Sequence, residues 1–147
     1  MFSKILCAVD GSQHALEAAK VAGQLAKQLD AKLTFLTVTK ELRMSEEAKR
    51  YMEIEHLTGE PQYVLDEYTE QVMQQAKDAA RAAGVSDAKT EVKTGQPARV
   101  IVKTAEAGDY DAIVIGGRGH GDLEGLLLGS VSHKVASLAK CTVITVR

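Results

Sequence analysis

Residues 112–132 read AIVIGGRGHGDLEGLLLGSVS. A short apolar run, Ile113–Ile115, gives way to a glycine-rich loop, and Ser130 then opens a segment with helical spacing to about Leu138. An unbroken apolar run of this length, rich in β-branched residues, reads as a strand buried on both faces. Strand, loop and helix in that order form part of a βαβ unit. The same unit repeats along the chain. Ile5–Val9, Leu33–Val38 and Thr142–Val146 are similar apolar runs, and Ala88–Val92 alternates as an edge strand would.

Helical patterns fill the intervals. Ser12 can cap a helix over about 13–29, with Ala15, Ala18, Ala19, Ala22, Leu25, Ala26 and Leu29 on one face. A second helix fits 62–83, carrying Leu65, Tyr68, Val72, Ala76, Ala79 and Ala83 on its apolar face and stopping at Gly84. A third begins at Pro97, carries Val100, Ile101, Thr104 and Ala105, and ends at Gly108. Strands alternating with helices imply right-handed crossovers and a parallel sheet covered on both sides, an α/β fold. Residues 40–60 break the pattern. They are charged and weakly periodic, and read as an exposed insertion with a solvated face, Met44 and Met52 being its candidates for a lid or partner surface.

Composition narrows the function. The chain has 147 residues, 45% apolar and 26% charged, the profile of one globular domain over 1–147. No segment approaches the roughly 18 unbroken apolar residues of a membrane helix, and MFSKILCAVDGS is too short and polar for a secretory leader. With 18 basic and 20 acidic residues the net charge is −2, so no global positive field draws nucleic acid. Cys7 and Cys141 have neither metal-ligand nor disulfide-framework spacing and read as buried thiols, which fits the cytoplasm. None of His14, His56, His120 and His133 has a helical partner of ligand character.

Six of the twelve glycines lie in 116–129. Glycine permits close backbone approach, and the helix start at Ser130 supplies N–H groups with partial positive charge, so the pair suggests an anion site suited to phosphate. The plain alternative is a surface loop with ordinary turn glycines. Known phosphate loops fit poorly. No lysine follows for a Walker A loop, and the first turn, DGSQHA, has one glycine where a dinucleotide fingerprint needs several. Acids clustered as in a receiver domain are also missing, since the third strand ends in TGQP.

Gly116-x-x-Gly119, nine residues, then Gly129-Ser130 gives G-x2-G-x9-G-[ST]. This spacing is similar to the nucleotide signature of the ATP-binding class of universal stress proteins. VDGSQHA, GQPARVIVKTAEAGDYDAIVIGGRGHG and GSVSHKV resemble further stretches of that family, with Gly117 where serine is common and Thr142 where proline often follows the cysteine. The resemblance implies a five-stranded parallel sheet in the order 3-2-1-4-5, Rossmann-like, with helices on both faces. The chain then reverses direction between strands 1 and 4, and ligands of open α/β sheets sit at such a switch point.

Carried over, the resemblance implies that Ala8, Val9 and Asp10 line the adenosine side. Asp10 would accept from ribose hydroxyls or touch a Mg2+ or Mn2+ near the phosphates; its alternative is a turn carboxylate ahead of the first helix. Val38 would meet adenine through its backbone, and Ile115 and Gly116 would lie near the sugar. Gly119, Gly129, Ser130, Val131 and Ser132 would hold phosphates through N–H groups, hydroxyls assisting, with Ser130 alternatively a plain cap. Arg118 could pair with a phosphate, and the direction of Lys134 is left open. Asp122 and Glu124 read as loop acids, and no nucleophile–base–orienter set is visible. The expectation is therefore a nucleotide-binding stress-response protein taking ATP, ADP or AMP, with at most slow hydrolysis. The alternative is a true ATPase or phosphotransferase. The family also implies a homodimer through the last strand, CTVITVR, whose apolar edge invites pairing.

Overall fold

The computed structural model describes residues 1–39, 50, 61–118 and 129–147. Its elements, in chain order, are β1 (Lys4–Ala8), α1 (Gln13–Leu29), β2 (Lys32–Thr39), α2 (Pro61–Ala82), β3 (Lys89–Thr94), α3 (Pro97–Ala107), β4 (Ala112–Gly116), α4 (Ser130–Leu138) and β5 (Thr142–Val146). The strands form one parallel sheet in the order β3-β2-β1-β4-β5, as the sequence resemblance implied. Apart from Arg50, the insertion expected over 40–60, with Met44, Met52 and His56, lies outside the described residues. So do Gly119, His120, Asp122 and Glu124.

Side chains alternate across the pleat and build two cores. Ile5, Cys7, Leu33, Phe35 and Val114 face α1 and α2, while Leu6, Leu36, Ile113 and Ile115 face α3 and α4. Both faces of the central strands are thus buried, which is why those strands read as unbroken apolar runs. The edge strands differ. β3 is exposed along most of its length, with Val92 open to solvent, and β5 is half-buried beyond Thr142.

The first helix follows its expected stripe, except that Leu25 and Leu29 are only partly buried. The second is rotated. Thr69, Val72, Met73, Ala76 and Ala80 are its buried positions, while Tyr68 is 44% exposed and Ala79 and Ala83 only half-buried. The cause lies on α1. A Cβ added to Gly23 would lie 3.1 Å from the Ala80 Cα and 3.2 Å from the Ala83 Cβ, so the two helices approach there almost backbone to backbone. That crossing turns Ala80 inward. On α3, Ala98 and Val102 are buried where the spacing had put Val100, which is half-buried.

The helix ends follow local chemistry. Ser12 Oγ accepts from the Ala15 N–H at 3.2 Å, and Gln96 Oε1 accepts from the Arg99 N–H at 2.9 Å ahead of Pro97. At the opposite edge of the sheet, Asp111 Oδ2 accepts from the Ser3 N–H, the Ser3 hydroxyl and the Lys4 N–H, each at 2.8 Å. These donors hold its carboxyl below the usual range.

Cys7 is fully buried, and burial pushes its thiol pKa up. Cys141, expected to be buried, is half-buried because β5 has a neighbour on one side only. Its thiol is also shifted up, by burial and then by the charges of Asp111 and Glu106.

Candidate functional site

All strands of a parallel sheet end at one edge, and the helices begin there. At this edge the order β2-β1-β4 makes the chain leave β1 and β4 toward opposite faces, which opens a crevice between them.

The β1 lip is tightly set. The Val9 N–H donates to Leu36 O at 2.9 Å, and Thr37 Oγ1 donates to Val9 O at 3.0 Å. The chain then turns. Asp10 Oδ1 accepts from the Ser12 N–H at 2.9 Å, and the Tyr68 hydroxyl donates to Asp10 O at 2.9 Å. Gly11 sits at φ +86°, and a side chain there would also collide with the Tyr68 hydroxyl. The turn-carboxylate role foreseen for Asp10 is present through one oxygen.

The β2 edge supplies a different kind of surface. In a strand, alternate residues aim their N–H and C=O at the same neighbour. Leu36 pairs with Ala8, so Val38 aims its backbone groups at the β1 side as well, past the last residue of β1. Val38 lines the crevice that opens there.

The β4 lip is a knot around one carbonyl. Gly117 O accepts from the Gly129 N–H at 2.5 Å and from Ser132 Oγ at 2.9 Å, and the Gly117 N–H donates to Val146 O at 2.6 Å. The two ends of the glycine loop are therefore pinned together at the root of α4. The Ser132 hydroxyl, expected to assist a phosphate, is buried in this knot, and the Gly129 amide is engaged there too. What Ser132 can turn to a ligand is its backbone N–H. The first bond within α4 runs from the His133 N–H to Gly129 O, so the amides of Val131 and Ser132 have no acceptor inside the helix. Gly129 caps without a side chain.

These parts enclose a cleft of ≈ 460 Å³, within the range of small-molecule sites. Ala8, Val9, Asp10, Val38, Ile115, Gly116, Ser130, Val131 and Ser132 all line it. Gly129 is in the knot behind, and Gly119 lies outside the described residues. Gly116 has a second reason to be glycine. A Cβ there would lie 2.7 Å from the His14 carbonyl carbon and 2.9 Å from the Ala15 nitrogen, because α1 rests directly on the end of β4.

Sequence reading missed the wall formed by Gln96, Pro97 and Ile101, and left Lys134 without a direction. The first three could have been found. β3 lies beside β2, so the turn after it, GQP, opens at the same edge. Lys134 could not, because only the docked angle of α4 decides which of its faces meets the cleft. Arg118 lines the same end.

Asp10 is the one carboxylate among the described residues of the lining, and no group of three metal-ligating side chains occurs among the described residues. One carboxylate suits a Mg2+ that would arrive with phosphates, water completing its shell. No helix among the described residues is long and apolar enough to cross a membrane.

A doubly wound, Rossmann-like sheet with a crevice at its switch point defines an open α/β protein of the class that takes ligands beyond the carboxyl ends of its strands. Within that class, the chain belongs to the universal stress protein family, whose model it matches over residues 1–147. It is 36% identical over 157 aligned residues to the universal stress protein YxiE of Bacillus subtilis, covering all of both chains. Among solved structures it is similar to a universal stress protein in complex with cAMP, at 28% identity and TM-score 0.74, covering 99% of this chain and 97% of that one. It is also similar to the universal stress protein UspA of Lactobacillus plantarum, at 25% identity and TM-score 0.81, covering 99% and 98%.

Proposed function

We propose that this chain binds an adenine nucleotide, ATP above all, in the β1–β4 crevice and acts as a regulatory stress-response protein in the cytoplasm. One observation carries the reading. Nine residues singled out from sequence line a single cleft; on this reading the Val38 backbone meets the base and the Val131 and Ser132 amides meet phosphate. A relative at 28% identity holds cAMP, which supports an adenine ligand of this kind. On this reading Asp10 meets ribose hydroxyls or a Mg2+ or Mn2+ carried by the phosphates.

Hydrolysis on this reading is slow. Phosphoryl transfer needs charge neutralisation and a placed nucleophile, and the one carboxylate among the described lining residues already accepts the Ser12 N–H through one oxygen. The reading also pairs two copies through β5, a parallel edge strand with one neighbour.

The test is calorimetric titration with ATP, ADP, AMP and cAMP, followed by single-turnover hydrolysis of ATP. Adenine nucleotides should bind, GTP should bind much more weakly, and ATP should leave the site faster than it is cleaved. Gly129→Val, at a φ of −72° that valine adopts, should weaken binding by disturbing the knot that sets the α4 amides beside the cleft, with the far-ultraviolet dichroism retained. Cleavage faster than release would favour the ATPase alternative. Unchanged binding by Gly129→Val would remove the site from this loop.

A further inference from the structure

The structure assigns Lys134 as the side chain that makes affinity rise with the number of phosphates, so that the cleft selects nucleoside di- and triphosphates over monophosphates. The assignment rests on the adenine-nucleotide reading above and names the form of nucleotide preferred.

Lys134 stands four residues after Ser130 and three after Val131, so the three share one face of α4, and all three line the cleft. Long side chains on a helix lean back toward its N-terminus. The Lys134 ammonium is thereby carried over the first turn, where the amides of Val131 and Ser132 stand. This is an unfavourable place for a cation. The N-terminus of a helix already carries about half a positive charge, the first turn of α4 contains no acidic residue, and its cap has no side chain to contribute. Nor does Lys134 take part in any ion pair among the described residues, whereas Lys20, Arg81, Lys93 and Lys140 do. Arg118 lines the same end of the cleft, and Asp10, the one acid among the described residues of the lining, belongs to the opposite lip.

The helix terminus and the Lys134 ammonium therefore bring positive charge to one end of the cleft, where a bound anion would balance it. The helix amides suffice for a first phosphate. Each further phosphate adds negative charge, which a flexible ammonium above the first turn can follow.

The test compares Kd values for AMP, ADP and ATP in the wild type, Lys134→Gln and Lys134→Arg. Lys134 is exposed, so both variants keep the fold. In the wild type ATP should bind more tightly than AMP. In Lys134→Gln the ATP Kd should rise about tenfold, equivalent to about 1.4 kcal/mol, while that for AMP moves less than about twofold on this scale. Lys134→Arg should restore most of the preference, and the wild-type preference should shrink as salt is raised. An equal shift for AMP and ATP, or none for either, overturns the assignment while leaving nucleotide binding in place. A wild type that binds none of the three overturns the functional reading and this one with it.

Discussion

Replacing Gly116 by alanine tests the joint between fold and site. The backbone at this position is not in the left-handed region, so alanine brings no conformational strain. Its cost is contact. The added methyl would lie 2.7 Å from the His14 carbonyl carbon, and 2.9 Å from both the Ala15 nitrogen and the His14 Cβ. Two of these three atoms are backbone, so no rotamer change relieves the overlap. Either α1 lifts from β4 or the end of β4 bends. Overpacking of a tight core costs about 1–3 kcal/mol. For a chain of this length each kcal/mol lowers Tm by roughly 2–4 °C, so a central cost of about 2 kcal/mol corresponds to a fall of roughly 4–8 °C. Thermal and urea unfolding followed by circular dichroism would measure it, with an unchanged urea slope. Nucleotide affinity should fall as well, because Ser12 and Ala15 on α1 line the same cleft. Trimming His14 to alanine should not rescue the variant, since the backbone contacts remain. A Gly116→Ala protein within about 0.5 kcal/mol of the wild type, the range of indifferent surface changes, would show that α1 does not rest on β4 as described.

Two further predictions concern the opposite edge and the thiols. Asp111→Asn should lower stability at neutral pH, because the carboxylate accepts three donors across the start of β1. The folded-state pKa is depressed, so the wild-type advantage is complete above the ordinary value of 3.8 and disappears as pH falls through the lower folded value; urea midpoints against pH would show the two proteins converging in acid. A thiol reagent should modify Cys141 slowly and leave Cys7 untouched in the native protein, both becoming reactive in denaturant. Two thiols reacting at similar rates before unfolding would contradict the buried position of Cys7 in β1.

Much of this architecture is legible in the residues themselves. Apolar runs buried on two faces, capping serine and proline residues, and the glycine spacing over 116–130 are local signals, and local signals survive in one dimension. They establish the alternating α/β pattern and, through resemblance, the strand order and nine side chains or amides of the cleft lining. Three things needed the folded chain. The rotation of α2 depends on how closely Gly23 lets two helices approach. The Ser132 hydroxyl turns to Gly117 O, because a carbonyl fifteen residues away becomes its neighbour only once α4 docks. Lys134 meets the cleft for the same reason: periodicity says which residues share a helix face, whereas packing between elements decides what that face looks upon.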